Sequence, residues 1–236
     1  MTFLERLFEE AKIIGIILDD IALKRFEKYY EMLVDYNTRM NLTAITEEQE
    51  VIVKHFCDSL YLLTKYHVPN GAKIIDVGTG AGFPGLPLLI ARPDLNLTLL
   101  DGLNKRLIFL QAVLSETGLC ADIVHARAEE GAADKKYREK YDFATSRAVA
   151  RLNVLCEYCL PYVKKGGTFL AMKGPAAAEE LAESQRALEV LGGKTAELQE
   201  YKLSDDSTRT IIAIKKERHT PPAYPRHNSK IKKQPL

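Results

Sequence analysis

The residue types and spacing best suited to chemistry lie in one run, Ile75-Asp76-Val77-Gly78-Thr79-Gly80-Ala81-Gly82-Phe83-Pro84-Gly85. A β-rich segment enters a glycine cluster, and a helix opens beyond it. Backbone N–H groups at such a bend approach a ligand closely, because no Cβ stands in the way. Gly80, Gly82 and Gly85 satisfy G-x-G-x-x-G, and Asp101 follows at a distance suited to an acid that binds ribose hydroxyls. A dinucleotide is therefore one reading of the loop. Asp76 favours another. A carboxylate just ahead of Gly78 suits a ligand carrying an ammonium and a sulfonium, and it repels a pyrophosphate. At about 4 Å and an effective dielectric of about 20, that contact is worth roughly 4 kcal/mol in either direction. The expected cofactor is S-adenosylmethionine, with Asp76, Gly78 and Gly80 around it and Asp101 on its ribose. Ala128 and Glu129 follow the third strand and are placed to flank adenine, although Glu129 also reads as a solvated acid beside Glu130.

Missing residues narrow the methyl acceptor. Cytosine C5 methylation needs a cysteine nucleophile at the site, and the fourth strand ends in Thr145-Ser146-Arg147-Ala148. The Asp/Asn-Pro-Pro-aromatic turn common in exocyclic amine methylation is also missing there; Pro221-Pro222-Ala223-Tyr224 lies beyond the last strand. What remains is an acceptor with its own free lone pair, such as purine N7. Orientation alone can then supply on the order of 7 kcal/mol. Cys156 and Cys159 form C-x-x-C within a helical segment, with no second pair and no nearby histidine. They read as buried thiols, and no metal site is expected.

These residues need a frame, and the hydrophobic pattern supplies one. Helices are expected over Phe3–Ile17, Ile21–Asn37 and Glu47–Tyr66. From Lys73 the pattern changes to strands alternating with helices. A single helix is expected over Ala176–Leu191, then two strands joined at Ser204-Asp205-Asp206-Ser207. The expected fold is α/β: a doubly wound, mainly parallel seven-stranded sheet with an antiparallel last strand, plus an N-terminal helical extension. The expected division is a helical segment over 1–68, a core over 69–216 and an extended basic tail over 217–236. Hydrophobic residues at 46% and charged residues at 28% are globular values. No apolar run is long enough to span a membrane, so a cytoplasmic monomer is the default expectation. The formal net charge is only +1, yet seven Lys or Arg against the single acid Glu217 lie between Lys215 and Leu236. That tail reads either as a polyanion contact or as a solubilising terminus.

The whole chain resembles the GidB (RsmG) family, which methylates guanine N7 in small-subunit ribosomal RNA. The resemblance is carried by Tyr36-Asn37 through Asn41-Leu42-Thr43, by His55 with Asp58-Ser59-Leu60, and by Asp76 through Gly85. It continues in Asp101 with Asn104-Lys105-Arg106, Arg127-Ala128-Glu129, Ser146-Arg147-Ala148, Lys173-Gly174 and the tail from Thr220 to Arg226. Tyr36 departs from the tryptophan frequent in the family. The resemblance implies a class I S-adenosylmethionine-dependent methyltransferase with 16S ribosomal RNA or the small ribosomal subunit as partner. It implies Gly78, Phe83, Ala128, Glu129 and Arg147 as cofactor contacts, with Asp101 added on the physical grounds above. Asn41, His55, Asp58, Arg147 and Lys173 become candidates for RNA or active-site contact. His55 and Asp58 read equally well as structural hydrogen-bonding groups. Arg147 and Lys173 are the candidate catalytic pair, holding guanine O6 or a phosphate while N7 faces the methyl group. Methylation of another RNA or a small molecule, and a nicotinamide-dependent oxidoreductase, are the competing functions.

Overall fold

The computed structural model describes the chain from Met1 to Leu236, apart from the side chain of Ala196. Strands β1 (Lys73–Val77), β2 (Asn96–Asp101), β3 (Asp122–His125), β4 (Tyr141–Arg147), β5 (Val163–Lys173), β6 (Gly193–Lys202) and β7 (Thr208–Lys216) form one sheet. Its order is β3-β2-β1-β4-β5-β7-β6. The β1–β2, β2–β3, β1–β4 and β4–β5 pairs are parallel, and β7 runs antiparallel to both of its neighbours. The strand order reverses between β1 and β4, the place where open α/β sheets bind ligands beyond the strands' carboxyl ends.

Alternation along the strands divides the core in two. Ile74, Leu97, Leu99, Leu170, Met172, Ile211 and Ala213 face one side. Ile75, Leu100, Ala144, Phe169, Ala171, Ile212 and Ile214 face the other, as the period of two in a pleated strand requires. The first side is covered by helices α1 (Phe3–Ile13), α2 (Asp20–Met40), α3 (Glu48–Val51), α4 (Asp58–Lys65), α5 (Gly85–Ala91) and α6 (Asn104–Thr117). The second is covered by α7 (Ala128–Ala133), α8 (Leu152–Cys159), α9 (Ala177–Glu183), α10 (Gln185–Leu191) and α11 (Asn228–Lys233). The N-terminal helices thus share a hydrophobic cluster with the sheet. Cys156 and Cys159 are fully buried, and no metal-ligating cluster occurs among the described residues.

Four expectations about elements need correction. α1 stops at Ile13, and the chain turns at Gly15 before α2. The helix expected over Glu47–Tyr66 contains a π-helical turn, Ile52–Cys57, between α3 and α4. The helix over Ala176–Leu191 is broken at Ser184, whose hydroxyl donates to the carbonyl of Glu180 at 2.6 Å, a back-bond that competes with helix propagation. The tail runs without regular structure as far as His227 and then forms α11, whose Ile231 is completely buried.

Candidate active site

The carboxyl ends of β1 and β2, the start of α7 and the end of β4 surround a cavity of about 630 Å³, within the range of small-molecule sites. The glycine loop forms its floor. Beneath the loop Asp76 is completely buried. Its Oδ2 accepts from the Thr79 hydroxyl at 2.6 Å and the Gly85 N–H at 3.0 Å, and its Oδ1 accepts from the Thr145 hydroxyl at 3.3 Å. Burial pushes its pKa up to about 6, and the same hydrogen bonds oppose the rise. Asp76 does not line the cavity. The charge contact read from sequence is replaced by a structural one, in which the carboxylate ties the loop to β4 and to the start of α5.

Asp101 ends β2 and serves the opposite side of the loop. Its Oδ2 accepts from the Gly80 N–H at 2.9 Å and from Arg106 at 3.2 Å, and its Oδ1 accepts from the Leu103 N–H at 2.8 Å. Gly80 has φ +61°, and a Cβ built there would meet nothing closer than the Gly78 carbonyl at 3.9 Å, so the space above it is open for a ligand. At Gly82, φ +106°, a Cβ would come within 2.7 Å of the Tyr29 hydroxyl. That hydroxyl donates to the Ala81 carbonyl at 2.5 Å, so α2 grips the loop from the helical side. Across the cavity, Glu129 lies in the first turn of α7, is only 8% exposed and faces the cavity. Among the described residues no side-chain hydrogen bond or ion pair engages its carboxylate. A nearly buried acceptor left over at a wall, with an open cradle at Gly80, fits a polar nucleoside such as that of S-adenosylmethionine.

A second cavity of about 260 Å³ adjoins the first, and His55, Arg147 and Ala148 line both. Arg147 ends β4. Its Nη1 donates to the Lys54 carbonyl and to Asp58 Oδ2, both at 2.9 Å, and its Nη2 lies 3.2 Å from His55 Nδ1. The guanidinium also sits 4.9 Å from the centre of the Phe83 ring. Asp58 is 3% exposed, and its other oxygen accepts from the Tyr201 hydroxyl at 2.7 Å. His55 Nε2 is 2.9 Å from the Thr43 hydroxyl. Burial first, and then Arg147, depress the His55 pKa to about 3. The ring is neutral at neutral pH, and its Nδ1 faces both Arg147 and the Lys54 carbonyl, the latter at 3.1 Å.

Of the residues expected from sequence, Gly78, Gly80, Phe83, Asp101, Ala128, Glu129 and Arg147 line the larger cavity. Lys173 lines only the smaller one, where its ammonium donates to the Ala150 carbonyl at 2.6 Å and pairs with Glu180 at 2.7 Å. Asn41 lines neither; it ends α2 in a left-handed conformation at φ 49°. Thr43, Tyr201 and Arg209 join the site without having been expected. So does Ala148, held at φ 56° where the two cavities meet, a strained conformation for an alanine. Asn228 and Lys232 of α11 also reach the larger cavity.

Solved structures share this architecture. An S-adenosylmethionine-dependent O-methyltransferase from Thermotoga maritima matches with TM-score 0.55 and 18% identity, over 80% of this chain and 73% of that one. The YcgJ protein of Bacillus subtilis matches with TM-score 0.52 and 13% identity, over 70% of this chain and 100% of that one. At such identities the likeness is one of fold. With the cavity at the sheet's switch point, the fold is that of the class I methyltransferases. Sequence relatives are much nearer. The family model for GidB, rRNA small subunit methyltransferase G, matches residues 22–211, and the chain belongs to that family. Ribosomal RNA small subunit methyltransferase G of Alkaliphilus oremlandii is 50% identical over 230 residues, covering 97% of this chain and 96% of the relative. The protein of the same name from Lachnoclostridium phytofermentans is 51% identical over 225 residues, covering 94% and 93%. Membership displaces the nicotinamide reading.

Proposed function

We propose that this chain transfers the methyl group of S-adenosylmethionine to N7 of a guanine in 16S ribosomal RNA of the small subunit, as a cytoplasmic monomer. The observation that carries the reading is the pair of adjoining cavities with a common wall of His55, Arg147 and Ala148. The larger has the glycine cradle and the unpartnered Glu129. The smaller, about 260 Å³, has room for a purine base. No helix among the described residues is long and apolar enough to cross a membrane, which agrees with a cytoplasmic substrate.

When bound, S-adenosylmethionine supplies an electrophilic methyl group on a sulfonium. Gly78, Gly80 and Phe83 shape the surface beneath it. Asp101 and Glu129 are the acceptors for ribose and adenine, and Ala128 leaves an apolar face beside the ring. On the acceptor side the wall holds no poised base. His55 is held neutral with its pKa near 3, and both Asp58 oxygens are already bonded. The acceptor must therefore arrive with a lone pair, as guanine N7 does. Arg147 and Lys173 then orient the base by hydrogen bonds to O6 or to a neighbouring phosphate. Replacement of Arg147 by alanine is the test. With small subunits as substrate and saturating S-adenosylmethionine, turnover is expected to fall by about a hundredfold or more. An Arg147→Ala enzyme with undiminished turnover would refute the assignment.

A further inference from the structure

One wall of the larger cavity comes from the last segment of the chain. Arg138, ahead of β4, donates to the carbonyls of Thr220 and Tyr224, both at 2.8 Å. Arg226 then grips Glu157 of α8, with Nε 2.9 Å from Oε1, Nη2 2.6 Å from Oε2 and its own backbone N–H 2.7 Å from Oε1. Glu157 is 0% exposed, and so is Ile231 of α11. A buried, bidentate ion pair and a buried aliphatic anchor fix the short helix α11 in place. In that position Asn228 Oδ1 accepts from the Tyr158 hydroxyl at 2.8 Å. Asn228, Tyr158 and Lys232 line the cavity that Glu129 faces.

With its oxygen taken by Tyr158, Asn228 has two amide N–H donors left. The free acceptor of Glu129 faces the same cavity. A heterocycle with a ring-nitrogen acceptor and an exocyclic amine donor complements that pair, and adenine has both. We propose that Asn228 and Lys232 complete the adenine end of the cofactor pocket, with Arg226 and Glu157 as the positioning pair that holds them there. This rests on assigning the larger cavity to S-adenosylmethionine. The basic tail then acts first on the cofactor, and its cations are not primarily an RNA arm.

Calorimetry on the full chain tests this, with S-adenosylhomocysteine and its 1-deaza analogue, in which C–H replaces the ring nitrogen N1, as probes. Asn228→Ala is expected to weaken S-adenosylhomocysteine by between about threefold and tenfold. It should change the 1-deaza analogue little, because that base keeps the exocyclic amine and has no N1 acceptor for the Asn228 amide. KM for S-adenosylmethionine should rise with kcat unchanged. Arg226→Ala should reproduce the loss, and Arg226→Lys should restore part of it, which separates positioning from general destabilisation. A thermal melt checks that each variant is folded, and Asn228→Ser serves if Asn228→Ala is not. Glu129→Ala is the control for the cavity. If Glu129→Ala weakens S-adenosylhomocysteine and Asn228→Ala does not, the tail's role is overturned and the cavity assignment stands. If neither does, both fall. Unchanged S-adenosylhomocysteine affinity in Lys232→Ala, together with a shallower salt dependence of small-subunit binding, would make the tail an RNA contact and overturn the proposal.

Discussion

Arg147 joins two parts of the chain through groups that are almost out of solvent. Asp58 has a side chain only 4% exposed and that of Arg147 is 16% exposed. Removing one partner of such a pair leaves the other charge buried and unpaired, which costs on the order of 3 kcal/mol. Asp58→Ala is expected to lower stability by about that much in chemical denaturation, whereas Asp58→Asn, which keeps an acceptor for Tyr201, should cost less. His55 adds a pH dependence. Its folded pKa is about 3, against an ordinary 6.5. The unfolded chain therefore binds a proton below about pH 6.5 that the folded chain refuses. The stabilising contribution of His55 is complete above that pH and is lost as pH falls toward 3. Asp76 works in the opposite direction, since its folded pKa of about 6 exceeds the ordinary 3.8 and favours the folded state as pH falls through that interval. In His55→Gln the first effect is gone. Relative to the parent, the variant should gain about 2 kcal/mol between roughly pH 6.5 and pH 5, measured by urea melts across that range. No relative gain would mean that His55 is not held neutral.

Helix α2 acts on the glycine loop through Tyr29, which is completely buried and bonded to the Ala81 carbonyl. Tyr29→Phe keeps the ring stacked on Phe83, 5.4 Å away, and leaves the carbonyl without its partner. A loss of about 1 kcal/mol in stability is expected, together with weaker S-adenosylhomocysteine binding. Unchanged affinity would mean that the helical extension does not shape the loop. The loop and the strands were legible in sequence because both signals are local: glycines where no Cβ fits, and alternation along each strand. The π-helical turn was not. Ile52-Val53 and Phe56-Cys57 are apolar in a pattern that an α-helix reads equally well. Helix α11 was hidden because Lys230-Ile231-Lys232-Lys233 offers one apolar residue and hence no period. Tyr201 was hidden because its partner Asp58 lies 143 residues away, a distance only the folded sheet closes. The inward turn of Asp76 was missed for a related reason: the sequence places a carboxylate at the bend but not the hydroxyls of Thr79 and Thr145 that capture it.

Across the molecule, the parts that build the two cavities come from every region of the chain. The N-terminal helices supply His55 and Asp58, the sheet supplies Asp101 and Arg147, β6 and β7 supply Tyr201 and Arg209, and the tail supplies Asn228 and Lys232. Under the proposed function, these parts together present a guanine N7 to a methyl donor across the wall of His55, Arg147 and Ala148. Incubation of small ribosomal subunits with isotopically labelled S-adenosylmethionine and the protein, followed by mass spectrometry of the nucleosides of 16S ribosomal RNA, tests this most directly. Label is expected in 7-methylguanosine. Label in any other nucleoside, or none in the presence of correctly folded protein, would contradict it.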